Sequence, residues 1–148
     1  MGIIKDITLT PLRIIPAGPG EVMHALKSNE ASFQGFGEAY FSTIRNHGAK
    51  GWKKHLRMIS NLIVPYGSIR FIFFDDRPGS TSYNELQEII LSKENYQRLT
   101  VPPGIWMAFE GQSDEINLVL NISSIIHDIT EAENLPLIND IIPFTGFK

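Results

Sequence analysis

The residues best suited to chemistry stand close together in this sequence, at Lys53, His55 and Arg57. Spaced two apart, they fall on one side of an extended strand, because successive strand side chains point to opposite faces. Such a row could supply a base and a contact for an anion. His55 can act as a general base near neutral pH, and Lys53 can do so where burial lowers its pKa. Arg57 suits a phosphate, which its planar fork can grip. The competing reading is a row of solvated charges on a sheet edge. Glu38 and Tyr40 make a second pair on one face, and the Tyr40 hydroxyl could serve as an acid; a half-buried strand tyrosine is the plainer alternative. Asn61 either faces a pocket or bonds to a neighbouring strand. His24, His47 and His127 have no evident partners and read as structural or surface residues.

Strands must hold these side chains, and strand signals dominate the chain. Ile3 to Ile15 reads as strand broken at Pro11, followed by a turn over Pro16 to Gly20. Glu21 to Lys27 reads as a strand, and Ala31 to Phe36 as loop or a short helix. Glu38 to Arg45 alternates, and His47 to Gly51 reads as a turn. Trp52 to His55 leads to the apolar run Met58 to Pro65. The turn Tyr66-Gly67-Ser68 then opens Ile69 to Asp75, and the two runs predict a hairpin. Asp76 to Ser82 is rich in turn residues. Further strands are expected over Leu86 to Leu91, Arg98 to Val101, Ile105 to Phe109 and Glu115 to Ile122, with a turn at Ser92 to Gln97. The tail, Glu131 to Lys148, reads as a short helix or irregular structure. About eight to ten short strands without a convincing amphipathic helix predict an all-β sandwich or barrel, its pocket lined by alternate inward side chains.

The totals agree with one domain spanning residues 1–148. At 148 residues, 43% hydrophobic and 20% charged, the chain can bury a core of its own. A net charge of −3 offers no broad surface for nucleic acid. The absence of cysteine rules out disulfides and thiolate metal sites. No apolar run approaches the roughly 18 to 20 residues of a membrane span, and the N-terminus lacks the pattern of a leader peptide. A cytoplasmic protein is expected.

Five segments, in their order and spacing, resemble the dTDP-4-dehydrorhamnose 3,5-epimerase family. They are FGEAYFSTI (Phe36 to Ile44), AKGWKKH (Ala49 to His55), VPYGSIRFIFFDDRPGSTS (Val64 to Ser82), LSKENYQRLTVPPGIWMAF (Leu91 to Phe109) and EINLVLN (Glu115 to Asn121). The resemblance runs from about Gly20 to His127. It implies a cupin-type jelly-roll β-barrel, a homodimer with strand exchange, and an isomerase of polysaccharide or deoxysugar biosynthesis. The substrate would be a dTDP-linked 4-keto-6-deoxy sugar, turned over with no metal or redox cofactor. The segment Ile3 to Ile15 could supply the exchanged strand.

Epimerisation beside a ketone needs a base, a group to stabilise the enolate oxygen, and an acid on the other face. By the resemblance, Lys50 stands for the family's diphosphate-binding Arg, Lys53 for its base His, and Met107 for a second pocket His. Ser60 stands near the enolate-stabilising Lys, and Leu120 or Asn121 near the Tyr acid. Glu38 and Tyr40 align with polar positions that contact substrate. With the family set so altered, the expected catalytic residues are Lys53, His55 and Tyr40. The expected substrate contacts are Lys50, Arg57, Glu38, Asn61, Trp106 and Asn121; Trp106 could stack on a base or sugar ring, or pack in the core. Metal-binding cupins use His-x-His, Glu and a later His, whereas Lys53-Lys54-His55 and Met107 leave one His and no metal is expected. The alternatives are a cupin that has lost catalysis and binds a nucleotide sugar or other carbohydrate, or an unrelated metal-free cupin acting on another small carbonyl compound.

Overall fold

The computed structural model describes residues 3–148. Twelve strands form along the chain, and a single 3-10 turn, Ile129–Glu131, is the one helical element among these residues. Strands β1 (Thr8–Pro11), β4 (Glu38–Ile44), β6 (Ser60–Tyr66), β9 (Gln97–Val101) and β11 (Asn117–Ser123) make one antiparallel sheet in the order β1-β9-β6-β11-β4. Strands β5 (Ala49–His55), β7 (Ser68–Asp75), β8 (Leu86–Ser92), β10 (Ile105–Gly111) and β12 (Ala132–Asn134) make the second, in the order β12-β5-β10-β7-β8. The chain alternates between the two sheets, which is the connectivity of a jelly roll. The sheets face each other without hydrogen bonding into a closed cylinder. Among the described residues, no helix is long and apolar enough to cross a membrane.

Strand alternation explains the layers. Ile69, Phe71 and Phe73 of β7 point inward, against Leu62 and Val64 of β6, Leu99 and Val101 of β9 and Val119 of β11, to form the main core. The intervening Ile72 and Phe74 point outward, where they join Trp52, Trp106 and Ala108 in a second cluster covered by Ile142 and Phe144 of the tail. The tail is thus a strap over the outer face of sheet two. Trp52 donates its ring N–H to Leu137 O at 3.2 Å, and Arg70 donates to Gly146 O at 2.6 Å. Fully buried Glu110 accepts from Arg70 at 2.5 Å and from Lys148 N at 3.1 Å.

The structure corrects several local expectations. β6 and β7 are not a hairpin: Gly67, at φ 78°, turns the chain from one sheet into the other. Buried Asn117 braces this corner by accepting from Ser68 N at 2.9 Å and donating to Ile44 O at 3.0 Å. An apolar run shows only that a strand is buried, not which sheet it joins. The paired hairpin is β7–β8 instead. The expected strand from Ile3 to Ile15 divides into β1 and β2 (Ile14–Ala17), and β2 pairs only with β3 (Gly20–Met23), a hairpin attached to neither sheet. The expected turn at His47 to Gly51 becomes strand from Ala49 onward.

Candidate active site

Strand β5 carries the basic groups, and a bulge decides where they point. In the pairing with β10, Lys53 lies opposite Met107 and Lys50 opposite Phe109, so Gly51 and Trp52 together face Ala108. In a regular strand, residues three apart face opposite ways. The extra residue re-aims the strand, so that Lys50, Lys53 and His55 all line one cavity. Gly51 makes this possible: its φ is 135°, and a Cβ there would lie 2.6 Å from Ala108 Cβ.

The cavity, of about 320 Å³, lies between the inner faces of the two sheets. One wall is cationic, with Lys50, Lys53 and His55 beside Met107 and Phe109 of β10. The other is neutral: Tyr40 and Ser42 from β4, Ser60 and Leu62 from β6, Val119 and Asn121 from β11. Lys50 also borders a wider open cleft with Arg45, Asn46 and Asp114. Lys50 Nζ donates to Ser42 Oγ at 3.1 Å and Thr43 O at 2.9 Å, and sits 5.9 Å from the centre of the Phe109 ring.

His55 is held by a carboxylate that the sequence did not single out. Its Nδ1 lies 2.5 Å from Glu131 Oε1, and Glu131 is almost fully buried. The other oxygen, Oε2, accepts from the backbone N–H groups of Arg57 and Met58, each at 3.2 Å. Burial pushes the Glu131 carboxyl up, but the hydrogen bonds from His55, Arg57 and Met58 and the charge of His55 outweigh it and hold it below the usual range. An ionised partner on Nδ1 fixes that nitrogen as the proton carrier and leaves Nε2 as the basic one. Glu131 arrives 76 residues after His55, from a tail without regular periodicity, so strand alternation could not have found it. Ser42 was findable, being two residues from Tyr40 on the same strand.

The remaining expected residues divide. Tyr40 and Asn121 are direct partners across β4 and β11, and Asn121 Nδ2 donates to the Tyr40 hydroxyl at 2.9 Å. Both line the cavity. Glu38 shares the face of Tyr40, but its carboxylate accepts from His127 N at 3.1 Å and it is not among the lining residues. Arg57 leaves the row, since β5 ends at His55; it is exposed and pairs with Asp128 at 3.3 Å. Asn61 points to the outer face of sheet one, where it accepts from Thr100 Oγ1 at 2.7 Å and donates to Ser32 O at 3.0 Å. Trp106 also points outward, as alternation with inward Ile105 and Met107 requires. Its ring N–H donates to Asp76 at 2.8 Å, and Lys54 Nζ lies 4.7 Å from its ring centre. Among the described residues, no group of three or more His, Asp or Glu is placed to hold a metal ion.

An ammonium, an oriented imidazole and a phenol around one cavity can move a proton on an anionic carbonyl compound. Comparison with known proteins bears on this arrangement. No model of a known family matches the chain. The crystal structure of a dTDP sugar isomerase from Desulfovibrio desulfuricans G20 is 35% identical, with a TM-score of 0.93, over 96% of this chain and 91% of that one. The probable low-salt glycan biosynthesis epimerase Agl13 of Haloferax volcanii is 25% identical over 132 residues, 88% of this chain and 85% of its own. A dTDP-4-dehydrorhamnose 3,5-epimerase from Bacillus anthracis, solved with TDP and pyrophosphate, shares the fold at 16% identity, with a TM-score of 0.82 over 94% of this chain and 83% of that one.

Proposed function

The chain belongs to the dTDP-4-dehydrorhamnose 3,5-epimerase family, and from that premise we propose that it epimerises or isomerises a dTDP-linked 4-keto-6-deoxy sugar for polysaccharide or deoxysugar biosynthesis. The observation that carries this reading is the buried Glu131 carboxylate on His55 Nδ1, inside a cavity with one cationic wall. His55 Nε2 takes the carbon-bound proton beside the ketone. The electron pair moves to the carbonyl oxygen, and Lys53 stabilises the enolate so formed. Tyr40, on the facing wall, returns a proton to the other face of that carbon. The Tyr40 ring is half exposed, so its phenolate regains a proton from solvent, while His55 loses its proton to solvent. Lys50, which borders both the cavity and the wider cleft, holds the diphosphate. Arg57, Asn61, Trp106 and Glu38 take no part in this scheme.

Incubation with a dTDP-4-keto-6-deoxy sugar in deuterated water tests the proposal. Exchange at C3 or C5 with inversion, read by NMR, is expected; absence of exchange with several sugar nucleotides refutes it. One observation favours a second reading, of a cupin that binds the nucleotide sugar without turnover: Lys53 and Met107 line the cavity at the two positions where the resemblance leads one to expect histidines. Calorimetric binding of dTDP without any exchange supports that reading. We place the protein in the cytoplasm, consistent with its lack of cysteine. We also propose a homodimer, with the unattached β2–β3 hairpin, rather than all of Ile3 to Ile15, supplying the exchanged element.

A further inference from the structure

The neutral wall of the cavity contains polar atoms that the fold leaves unused. Ser60 Oγ, Asn121 Oδ1 and Ser123 Oγ make no hydrogen bond, although their residues are only 2%, 7% and 0% exposed. Ser60 and Asn121 line the cavity. Ser123 stands directly across from Ser60, on the inward face of β11 that also carries Asn121. A buried polar group without a partner costs stability, and their neighbours Leu62 and Val119 show that apolar side chains fit the same wall. The two that line the cavity, on adjacent strands, therefore point to a partner that comes from outside the chain.

We propose that Ser60 and Asn121 form a hydroxyl-recognising patch, which restricts the substrate to sugars that keep a free hydroxyl at C2 or C3 of the ring. This rests on the nucleotide-sugar reading above and deepens it. The chemistry of the atoms selects a hydroxyl. Asn121 Nδ2 is committed to the Tyr40 hydroxyl, so its free oxygen needs a donor. Keto and phosphate oxygens only accept, whereas a sugar hydroxyl both donates and accepts and can satisfy Asn121 and Ser60 together. Ser60 and Asn121 are diagonal neighbours in the β6–β11 pairing, a Cα separation of about 7 to 8 Å that one or two ring hydroxyls can bridge. The acceptor oxygens belong on the opposite wall, with Lys53 and Lys50. The two walls thus fix the orientation of the ring: carbonyl and diphosphate toward β5, hydroxyl toward β6 and β11. A sugar deoxygenated at that position leaves the buried atoms unpaired and is rejected by more than its lost contact alone.

Calorimetry on the full chain separates this proposal from the reading beneath it. The ligands are dTDP, dTDP-6-deoxyglucose, and its 2,6-dideoxy and 3,6-dideoxy analogues; the proteins are wild type, Asn121→Leu and Ser60→Ala. In the wild type, at least one dideoxy analogue is expected to bind about 10- to 100-fold more weakly than dTDP-6-deoxyglucose. In the variants that gap closes to within about threefold, while dTDP alone binds all three proteins equally. Equal binding of all the sugars by the wild type, or a gap that persists in both variants, overturns the patch and leaves the nucleotide-sugar reading in place. Failure of dTDP and every dTDP-sugar to bind the wild type overturns both.

Discussion

Replacing Glu131 with Gln tests the proposed base most directly, because shape is kept and only the charge and one acceptor are lost. The carboxylate faces three donors: His55 Nδ1 at 2.5 Å, and the N–H groups of Arg57 and Met58 at 3.2 Å. A glutamine has one acceptor oxygen. Turned toward the backbone, that oxygen keeps two hydrogen bonds and presents its NH2 to His55. The imidazole must then accept at Nδ1 and carry its proton on Nε2, the nitrogen proposed to act as base. General-base catalysis contributes about 10²- to 10⁴-fold, or roughly 3 to 5 kcal/mol of barrier. A loss of kcat in that range is expected, with KM little changed because Glu131 does not line the cavity. Initial rates of deuterium incorporation measure kcat, and circular dichroism confirms that the variant is folded. A folded Glu131→Gln protein with kcat within about threefold of wild type would refute the assignment of His55 as base.

Five further outcomes follow from the same geometry. Lys53→Met is expected to lower kcat about 100-fold through loss of enolate stabilisation, whereas Lys50→Met raises the calorimetric Kd for dTDP about tenfold or more; the reverse pattern would exchange their roles. Gly51→Ala forces a Cβ to 2.6 Å from that of Ala108 at φ 135°, and a thermal melt should show at least about 3 kcal/mol of destabilisation. Fully buried Asp75 accepts from Arg77, Ser80 and Ser82, so Asp75→Asn should cost about 3 kcal/mol, or about 10 °C in Tm. For Asp75, burial acts upward, but those hydrogen bonds prevail and hold the carboxyl below its usual value of 3.8. The Glu131 carboxyl is also held low, so the stability that both add is present above about pH 4 and lost as pH falls through their folded values; Tm measured against pH should drop on that acid side. Light scattering should give a dimer for the intact chain and a monomer after deletion of the β2–β3 hairpin; a monomeric intact chain refutes the exchange.

The sequence discloses the parts of this molecule that are periodic. Tyr40 shares the face of Glu38, and Lys53 that of His55, because both pairs obey the two-residue repeat of a strand. Features that break the repeat, or close over long distances, stay hidden. Lys50 joins Lys53 only through the bulge at Gly51, which the sequence presents as an ordinary turn residue. Arg57 departs because the strand stops two residues earlier, where Glu131 captures the amides of Arg57 and Met58. Trp106 and Asn61 illustrate a sign ambiguity: alternation says which residues share a face, not which face is inside. The hairpin expected at Gly67 fails in the same way, since a two-sheet fold can use a tight turn to change layers. The all-β jelly roll was legible from strand spacing and motif order together, since neither depends on such details.

Strand β5 has two sides with separate tasks. Trp52 and Lys54 on its outer side are bound into the tail, Trp106 and Asp76, while Lys53 and His55 on its inner side meet only the cavity and Glu131. Anchorage and reactivity are therefore carried by alternate letters of one short word. Lys53 can therefore be changed without disturbing the contacts that anchor the outer side, whereas His55 cannot, because its loss would leave the buried Glu131 carboxylate without its side-chain partner. If, as the resemblance implies, Lys53 stands for a family histidine, that change is confined to a single side of a seven-residue strand.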